Sequence, residues 1–502
     1  MSRVTWGLLP IAMATVGVDA AEWDTSGGVA VASIYTDNVC LTPNDEKGKA
    51  IVTVTPDVNL RSTGARADVA VSARVQYNSL AEQDLGCPIG GVGLFGARLQ
   101  RFTPSGGASA NYELIDNWLT LNASATATQV LVNPFAPGGQ DGLNGRNNTT
   151  LVYRYGAGAQ LQRRFDQRVD FNLGYRYDEQ VNELNLFGDS KADNVSGSLA
   201  LAPGSSRLTL GVYGVYSRIE FERALPGLPV DVAGENVLSS AEVRAGFQLT
   251  DSWQIDGHVG AESNEYLSLR DEIDGTYWDA GVRWSPNDRV EIAAGTGERF
   301  FGETPRFQAS YRHKRSELQV SYARTIQFPR DLRSPVFDPD NPFGPGFGGL
   351  PGDPVFSPDT PALLGQGPII NEAFALNYRF SGRRTSFSVF ARDSEQTRLS
   401  IGSIGSDANF RSAQMTATRN LSSRLSASVR VGWNENKGRR LGEVDDILQG
   451  VELWTGGLNL TRRFGNDLAV TVAYQYRTQS SDLNLNEFVE NRVTISTRLG
   501  LF

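Results

Sequence analysis

The sequence predicts an all-β fold, a transmembrane antiparallel up-and-down β-barrel of about 22 strands, within a range of roughly 18 to 22. Three observations lead to this prediction. Apolar and polar residues alternate along most of the chain, the alternating segments are long, and short and long connections take turns between them. No linker or change in composition divides the 502 residues. We therefore expect one barrel domain behind a signal peptide.

The alternation is clearest in the segment ARADVAVSARVQYN. Val69, Val71 and Val75 share one face of this segment, whereas Asp68 and Arg74 share the other. The same split recurs over residues 151–164, 169–178, 425–433 and 468–476. A period of two residues is typical of a β-strand with two different faces, and helical spacing fits none of these segments.

The length of the segments separates a membrane barrel from a soluble β-sandwich, which also alternates. These segments run for about 10 to 15 residues. Ordinary strands average about 5 to 6 residues, whereas strands that cross a membrane need about 9 to 11. The length therefore favours the membrane barrel.

The connections between segments indicate which end is which. Tight turns such as FDQ (165–167) and GND (465–467) alternate with longer loops near 131–147 and 328–368. Outer-membrane barrels place short turns in the periplasm and long loops outside the cell. We therefore expect short periplasmic turns and long extracellular loops here.

Aromatic residues gather where the segments end. Trp118 follows a tight turn, whereas Tyr77 closes its segment at the far end. Rings at both ends of an apolar band fit the two interfaces of a bilayer. About ten tight turns, an opening strand near 26–37 and a closing strand near 488–501 give about 22 strands with both termini in the periplasm.

The N-terminal stretch MSRVTWGLLPIAMATVGVDA predicts a secretory signal peptide over residues 1–21. It has Arg3, an apolar run from Trp6 to Val18 and small residues at the cleavage site. Residues 22–502 then form the barrel domain. No later stretch approaches the roughly 20 apolar residues of a membrane helix. We expect the outer membrane of a Gram-negative bacterium, with its lipid as the surrounding partner.

Composition excludes several function classes. A net charge of −9 argues against nucleic acid as a partner, since phosphate binding needs clustered positive charge. His258 and His313 are the only histidines, and no nucleophile or metal-ligand spacing accompanies them. We therefore expect no enzyme, no cofactor and no metal. Cys40 and Cys87 lie outside the alternating segments and form either a disulfide between two loops or two free thiols.

The polar face predicts the lining of the lumen, the path that a substrate would take. Its charged positions include Arg66, Arg74, Arg154, Arg164, Arg176, Arg283, Arg392, Arg430, Arg477, Asp68, Asp170 and Asp178. These groups either pair across strands and fill a wet interior, or line a pore whose forked guanidinium groups bind anions. Inward glycines such as Gly156 and Gly281 are expected to leave room in that pore.

Barrels of this width commonly carry a plug. Alternation already begins near Gly28, which leaves no N-terminal plug domain and argues against a TonB-dependent receptor. Loop 328–368 is rich in Pro and Gly, which predicts neither helix nor strand there. Our hypothesis is that this loop caps or enters the pore.

The segment SIYTDNVCLTPNDEKGKAIVTVTPDVNLRSTGARADVAVSARVQYN resembles the opening of outer-membrane β-barrels associated with exosortase/PEP-CTERM systems. The residues that carry the resemblance are Tyr35, Asp37, Asn38, Pro56, Gly64 and Arg66. It implies a barrel that accompanies exopolysaccharide production, with polysaccharide-export components as partners and no catalytic residues.

Two functions follow as expectations. The first is a porin-like barrel that passes, or assists the export of, a polar solute or exopolysaccharide through an Arg-rich lumen. The alternative is a non-conducting barrel that acts as a structural, assembly or surface-interaction partner in an export system.

The last residue, Phe502, is expected to serve as an assembly signal that the barrel-assembly machinery reads on the C-terminal strand. Val493, Ile495, Leu499 and Leu501 share the outward parity, and Phe502 falls one step out of phase. We expect its ring either to turn inward at the periplasmic mouth or to be re-aimed by a bulge.

Overall fold

The computed structural model describes residues 22–79, 87, 101–138, 143–144, 148–184, 188–201, 207–222, 234–333, 366–399, 407–439, 448–482 and 486–502. The predicted signal peptide, residues 1–21, lies outside them. The described residues form one antiparallel sheet with these strands: β1 Glu22–Thr36, β2 Lys49–Thr63, β3 Ala67–Asn78, β4 Phe102–Ile115, β5 Leu119–Leu131, β6 Thr149–Phe165, β7 Val169–Asn182, β8 Ser190–Leu201, β9 Leu208–Phe221, β10 Glu235–Gln248, β11 Trp253–Glu265, β12 Gly275–Asn287, β13 Val290–Arg299, β14 Gly302–Glu303, β15 Arg306–His313, β16 Ser316–Gln327, β17 Ile369–Ser381, β18 Thr385–Arg398, β19 Ala408–Asn420, β20 Leu425–Arg439, β21 Leu448–Phe464, β22 Leu468–Ser481 and β23 Phe488–Gly500.

The sheet closes on itself. β1 pairs with β23 over nine residues, from Gly28 opposite Gly500 to Thr36 opposite Arg492. β14 has two residues and only caps the β13–β15 hairpin, so the 23 strands give a wall of 22. Closure leaves no unpaired edge to face lipid, where a bare backbone N–H would find no partner. The prediction of an antiparallel barrel with about 22 strands is confirmed.

The two faces of the wall differ as the alternation predicts. Outward apolar side chains such as Val75 and Ile495 are exposed, while inward polar side chains such as Thr53 and Asn78 are buried. Alternation along every strand thus separates an apolar outside from a polar inside.

The two ends of the barrel also differ. At the tight-turn end, two turn residues, Asp166 and Gln167, both have positive φ, and Asn117, Lys314 and Gly465 adopt the same left-handed region in other turns. Two-residue hairpins need this backbone because its twist matches that of the flanking strands. At the opposite end, the long-loop end, the connections are longer and carry most of the side-chain packing that is described below.

A single helical turn, α1, spans Pro329–Arg333. The sequence predicts no helix in this loop, and α1 corrects that prediction for its first residues. The remaining residues 334–365, on which the capping hypothesis mostly depends, lie outside the described residues. No helix of the described part of the chain is long and apolar enough to cross a membrane.

The C-terminal residues form a bulge against β1. The N–H of Leu501 donates to the carbonyl of Gly27 (2.8 Å), and the N–H of Gly27 donates to the carbonyl of Phe502 (3.2 Å). Leu501 and Phe502 thus lie opposite the single residue Gly27, which is the arrangement of a β-bulge. A Cβ on Gly27, which shares the outward face of Val29 and Val31, would lie 2.6 Å from Cζ of Phe502. The ring of Phe502 therefore lies on the outward face. Of the two expected arrangements, an inward turn or a bulge, the structure contains the bulge. The role of Phe502 in assembly stays a prediction.

Candidate functional site: the barrel lumen

Polar side chains lie flat on the lumen wall, over inward-facing glycines. The guanidinium of Arg306 crosses Gly281 and Gly295, where an added Cβ would stand 2.4 Å and 2.9 Å from its nitrogens. The ring of Tyr277 covers Gly260 in the same way, at 2.6 Å. The space above these glycines is therefore filled by neighbouring side chains.

Arg306 on β15 binds two aspartates that lie beyond the neighbouring strand. Its Nε is 3.0 Å from both carboxylate oxygens of Asp279, and its Nη2 is 2.6 Å from Asp279 Oδ1 and 2.6 Å from Asp256 Oδ2. Only a strand with glycine at the crossing lets an arginine side chain pass this close to the backbone. The guanidinium is thus held by forked, charge-assisted bonds within the wall.

Glu242 on β10 joins a second group of polar side chains. The hydroxyl of Tyr277 donates to Glu242 Oε2 (2.8 Å), and Arg244 donates to Oε1 of the same carboxylate. His258 lies between two carboxylates, with Nε2 3.6 Å from Glu242 and Nδ1 3.9 Å from Asp279. The guanidinium of Arg244 also lies 4.3 Å from the centre of a tyrosine ring, a cation–π contact.

A cavity of about 600 Å³ lies in the lumen between these groups. Its lining includes Arg244, Arg299 and Arg306, and each of these guanidinium groups has a carboxylate partner. A second cavity of about 960 Å³ lies nearer the tight-turn end, lined in part by Gln308 and Asn377. We call the inward faces of β8–β16 the open sector.

Most of the arginines predicted to line the lumen are bound to a carboxylate. The pairs are Arg154–Asp178 (3.8 Å), Arg164–Asp170 (2.6 Å), Arg176–Asp178 (3.0 Å), Arg283–Glu291 (3.7 Å) and Arg477–Glu490 (3.1 Å). Nε of Arg74 donates to Ser105 Oγ (3.2 Å). Four of these five pairs join neighbouring strands, and Arg176–Asp178 lies within β7. Of the two alternatives for the polar face, pairing between side chains therefore describes this geometry.

The remaining predicted lining residues are placed as follows. Arg392 and Arg430 lie on the inward faces of β18 and β20, opposite Ser412 and Thr416. Asp68 lies at the start of β3, near the tight-turn mouth. Arg66 does not line the lumen, which corrects the prediction. It is exposed in the β2–β3 turn and pairs with Asp116 of the next turn (2.8 Å). Alternation fixes the direction of a side chain only within a strand, and Arg66 lies just before β3 begins.

At the other side of the ring, the carboxylate of Glu490 is completely buried. It accepts hydrogen bonds from Thr36 Oγ1 (2.8 Å), Arg477 Nη1 (3.1 Å) and Arg492 Nη2 (2.9 Å). Two guanidinium groups therefore compensate one carboxylate away from water. Such a network is stable only while every member is present.

The β5–β6 loop, residues 132–148, covers this network from across the lumen. Asn436 Nδ2 donates to the carbonyl of Pro134 (2.7 Å), Asn486 Nδ2 to that of Phe135 (3.1 Å), and Arg477 to that of Gly138. These donors belong to β20, β22 and the β22–β23 connection, about six to eight strands around the ring from β5. The loop therefore spans the long-loop mouth.

Apolar contacts hold the same loop. Phe135 packs beside Phe410 of β19, with ring centroids 6.2 Å apart, and Leu143 packs in a cluster with Ile34 and Ile51. We call the inward faces of β19–β23, β1 and β2 the covered sector. Its side chains at the long-loop end are buried beneath a segment of another part of the barrel.

The disulfide is part of the covered sector. Cys40, in the β1–β2 connection, is bonded to Cys87, in the β3–β4 connection, with an S–S distance of 2.03 Å. Cys40 is fully buried, and both cysteines contact the cluster that holds Leu143. The bridge therefore ties two long loops together beneath the β5–β6 loop.

The β16–β17 loop, residues 328–368, reaches the wall at both of its described ends. Phe328 is buried with Ile219 and Phe221 of β9. Arg330 donates to Ser190 Oγ of β8 (3.0 Å), and Asp331 accepts a bond from Arg154 of β6 (3.1 Å).

Arg330 is buried in this contact, and desolvation lowers the pKa of its guanidinium, which the Asp331 carboxylate opposes. At the other end of the loop, Gln366 Nε2 lies 3.5 Å from the carbonyl of Glu222. Two long loops thus enter the mouth from opposite walls.

Several charged residues of these networks lie outside the set predicted from the sequence, and they include Glu242, Arg306 and Glu490. All three have the inward parity of their strands. Arg306 and Glu490 lie close to the start of a strand, where alternation has too few repeats to be recognised. Among the described residues, no group of three or more His, Cys, Asp or Glu could hold a metal ion.

No protein-family model and no curated protein matches the chain. Among solved structures, the siderophore receptor PirA from Acinetobacter baumannii is similar, with a TM-score of 0.50 at 10% identity over 96% of this chain and 81% of that one. The FrpB iron transporter from Neisseria meningitidis reaches 0.51 at 10% identity, over 95% and 83%. The ferric enterobactin receptor PfeA from Pseudomonas aeruginosa reaches 0.50 at 10% identity, over 96% and 81%.

The likeness concerns the fold, since the identities are low. The chain is a 22-stranded barrel of the outer-membrane type and belongs in the outer membrane of a Gram-negative bacterium. The first described residue, Glu22, already lies in β1, so no plug precedes the barrel within the described residues.

Proposed function

We propose that the protein passes polar solutes across the outer membrane along the open sector, with little preference for the sign of their charge. The observation that carries this proposal is the cavity of about 600 Å³ beside Arg244, Arg299 and Arg306. Each of these cations already has a carboxylate partner. A solute anion would have to displace that partner, whereas a neutral polar solute can use the remaining donors and acceptors.

Planar-bilayer recording of the purified, refolded barrel tests the proposal. We expect steady single-channel currents and, in a tenfold KCl gradient, a reversal potential close to zero. A strongly anion-selective channel would contradict the role of the internal pairs. A silent bilayer, with a barrel that still shows heat-modifiable gel mobility, would contradict passage itself.

The second candidate is a non-conducting barrel that serves as a structural or surface partner. The crossing of the mouth by the β5–β6 loop and by the described ends of the β16–β17 loop favours it. A silent bilayer would support this candidate. If channels appear only after Asn436 and Asn486, which hold the β5–β6 loop, are replaced, that loop is what blocks the barrel.

The finer substrate that we propose is an exopolysaccharide, on the resemblance of the first strands to exosortase/PEP-CTERM-associated barrels. If the substrate is an exopolysaccharide, the partners that we propose are polysaccharide-export components, together with the barrel-assembly machinery. Deleting the gene and measuring secreted polysaccharide tests it. Unchanged secretion, with the channel intact in vitro, would remove the exopolysaccharide and leave polar solute passage standing.

A further inference from the structure

Positive charge is concentrated in one arc of the tight-turn end. Arg312 lies near the end of β15, the β15–β16 turn contains Lys314 and Arg315, and the β17–β18 turn contains Arg383 and Arg384. All five side chains are exposed. These two turns are neighbours on the rim, because β15 to β18 pair in sequence.

The next two turns continue the arc. Arg419 and Arg424 flank the β19–β20 turn, and Arg462 and Arg463 end β21; all four are exposed. We call these four turns, residues 312–315, 383–384, 419–424 and 462–463, the basic arc. The acidic residues of these same hairpins are Glu317, which binds Arg312 (3.2 Å), and Asp467, and the adjoining β12–β13 hairpin adds Asp288 and Glu291. The arc is strongly positive in a chain whose net charge is −9.

The other described tight turns lack this excess. In the β2–β3 and β4–β5 turns Arg66 is paired with Asp116. In the β6–β7 turn Arg164 is paired with Asp170, and Asp166 accompanies the remaining Arg163 and Arg168. In the β12–β13 turn Asp288 and Glu291 accompany the single cation Arg289. The β10–β11 turn contributes Asp251 and no cation. The basic arc is therefore a local feature of one side of the rim.

The cations of the basic arc point in different directions, so lipid headgroups cannot contact all of them. Arg419 and Arg462 share the outward parity of their strands, and Arg462 lies 5.0 Å from the centre of the Phe464 ring. Arg312 and Arg463 have inward parity, and Lys314 forms a turn tip. Only the outward-facing arginines can reach the headgroups of the inner leaflet. A protein bound beneath the rim could contact the inward-facing, outward-facing and turn-tip cations together.

We propose that the basic arc is a docking surface for the acidic face of a periplasmic protein. Tight turns are the periplasmic end of such barrels. Adjacent strands lie about 4.8 Å apart, so four consecutive hairpins span about 30 Å of rim, which matches the side of a standard interface patch of about 800 Å². Arg binds carboxylates bidentately, which suits glutamate and aspartate side chains. The inference does not rest on the proposed transport.

Binding of a labelled acidic polypeptide tests the inference. The probe is fluorescein-labelled poly-L-glutamate of about 20 residues, titrated by anisotropy against the full-length barrel in zwitterionic nanodiscs. We expect binding that weakens steeply with salt and that falls at least tenfold in a variant with Arg383→Gln, Arg384→Gln, Arg424→Gln and Arg463→Gln. The matched control replaces four rim arginines elsewhere by glutamine, Arg66, Arg163, Arg168 and Arg289, and should lose less than twofold.

Several outcomes would overturn the inference. These are absence of poly-L-glutamate binding, an equal loss in the control variant, and binding of an anionic polysaccharide such as alginate with equal or higher affinity. A lipid surface would replace the proposed partner if phosphatidylglycerol co-purifies with the parent barrel and is lost on Arg419→Gln and Arg462→Gln while poly-L-glutamate does not bind. Heat-modifiable mobility of each variant shows that the barrel has folded, and a silent bilayer leaves the result valid.

Discussion

The covered sector and the open sector use the same kind of side chain in opposite ways. In the covered sector, Arg477 and Arg492 flank the buried Glu490 beneath the β5–β6 loop. In the open sector, Arg306 binds Asp256 and Asp279 on a wall that borders a cavity. Both sectors contain paired charges, so pairing does not distinguish them. They differ in the loop that lies over the covered sector, which removes water from the pairs and takes up the space above them.

The difference also concerns what each pair contributes to stability. A buried pair costs desolvation, and its loss leaves an uncompensated charge, whereas a half-exposed pair is screened by water. In the open sector the carboxylates are buried, but their guanidinium partners stay about a third exposed. We therefore expect substitutions in the covered sector to cost more stability than those in the open sector, which should also change the passage of ions.

The largest effect should follow from Glu490→Gln, which leaves Arg477 and Arg492 uncompensated beneath the β5–β6 loop. We expect a loss of about 3–5 kcal/mol in the free energy of unfolding, measured by urea titration in lipid vesicles. Asp116→Asn, which removes the exposed partner of Arg66, is the control and should leave stability close to that of the parent. Equal losses in the two variants would contradict the contrast between buried and exposed pairs.

The next effect should follow from removing the disulfide with Cys40→Ser and Cys87→Ser. A bridge that closes a separation of 47 residues is worth about 2–4 kcal/mol. The same urea titration measures the loss. Reductant should lower the stability of the parent by a similar amount and should not affect the double variant. If reductant destabilises both proteins equally, the bridge is not the cause.

In the open sector, Gly281→Val should displace Arg306, because the new side chain would occupy the space of its guanidinium. We expect a cost of about 1–3 kcal/mol from overpacking and a shift of the reversal potential towards anions, since a displaced cation projects into the lumen. Gly174→Ala is the matched control. Its Cβ would meet only Ser196 Oγ, at 3.1 Å. A shift of the same size in the control would show that the pairing of Arg306 is not what keeps selectivity weak.

The smallest effect concerns Asp189 in the β7–β8 loop. Desolvation raises its pKa above the ordinary value of 3.8, and the Asn182 N–H, which donates to its Oδ1, opposes the shift. The folded state thus binds a proton more tightly than the unfolded state, so stability falls as the pH rises from 3.8 through the raised pKa. Asp189→Asn keeps the acceptor and should slightly stabilise the barrel at pH 7. An unchanged pH dependence between pH 4 and 7 would contradict this.

The fold could be predicted because alternation is a local signal. Segments such as Val69 to Tyr77 carry their faces in their own residues, and tight turns separate them without any knowledge of partners. The break in parity at Phe502 was visible for the same reason. Which of its two outcomes holds depends on Gly27, some 475 residues away in sequence.

The covered sector could not be predicted. Pro134, Phe135 and Gly138 look like ordinary loop residues, and their contacts with Asn436 and Arg477 depend on the closure of the whole ring. The sequence also does not show which carboxylate each lumen arginine binds. That choice depends on the strand register and on glycines in the strands that lie between the two partners.

The glycines beneath Arg306 and Tyr277 set the width of the passage in a particular way. Where the backbone itself forms the floor, the bore depends on the number of strands more than on the size of the side chains. At each such position even one added methyl group must displace the side chain that lies over it or shift the neighbouring backbone, so the lining and the ring cannot be changed independently there.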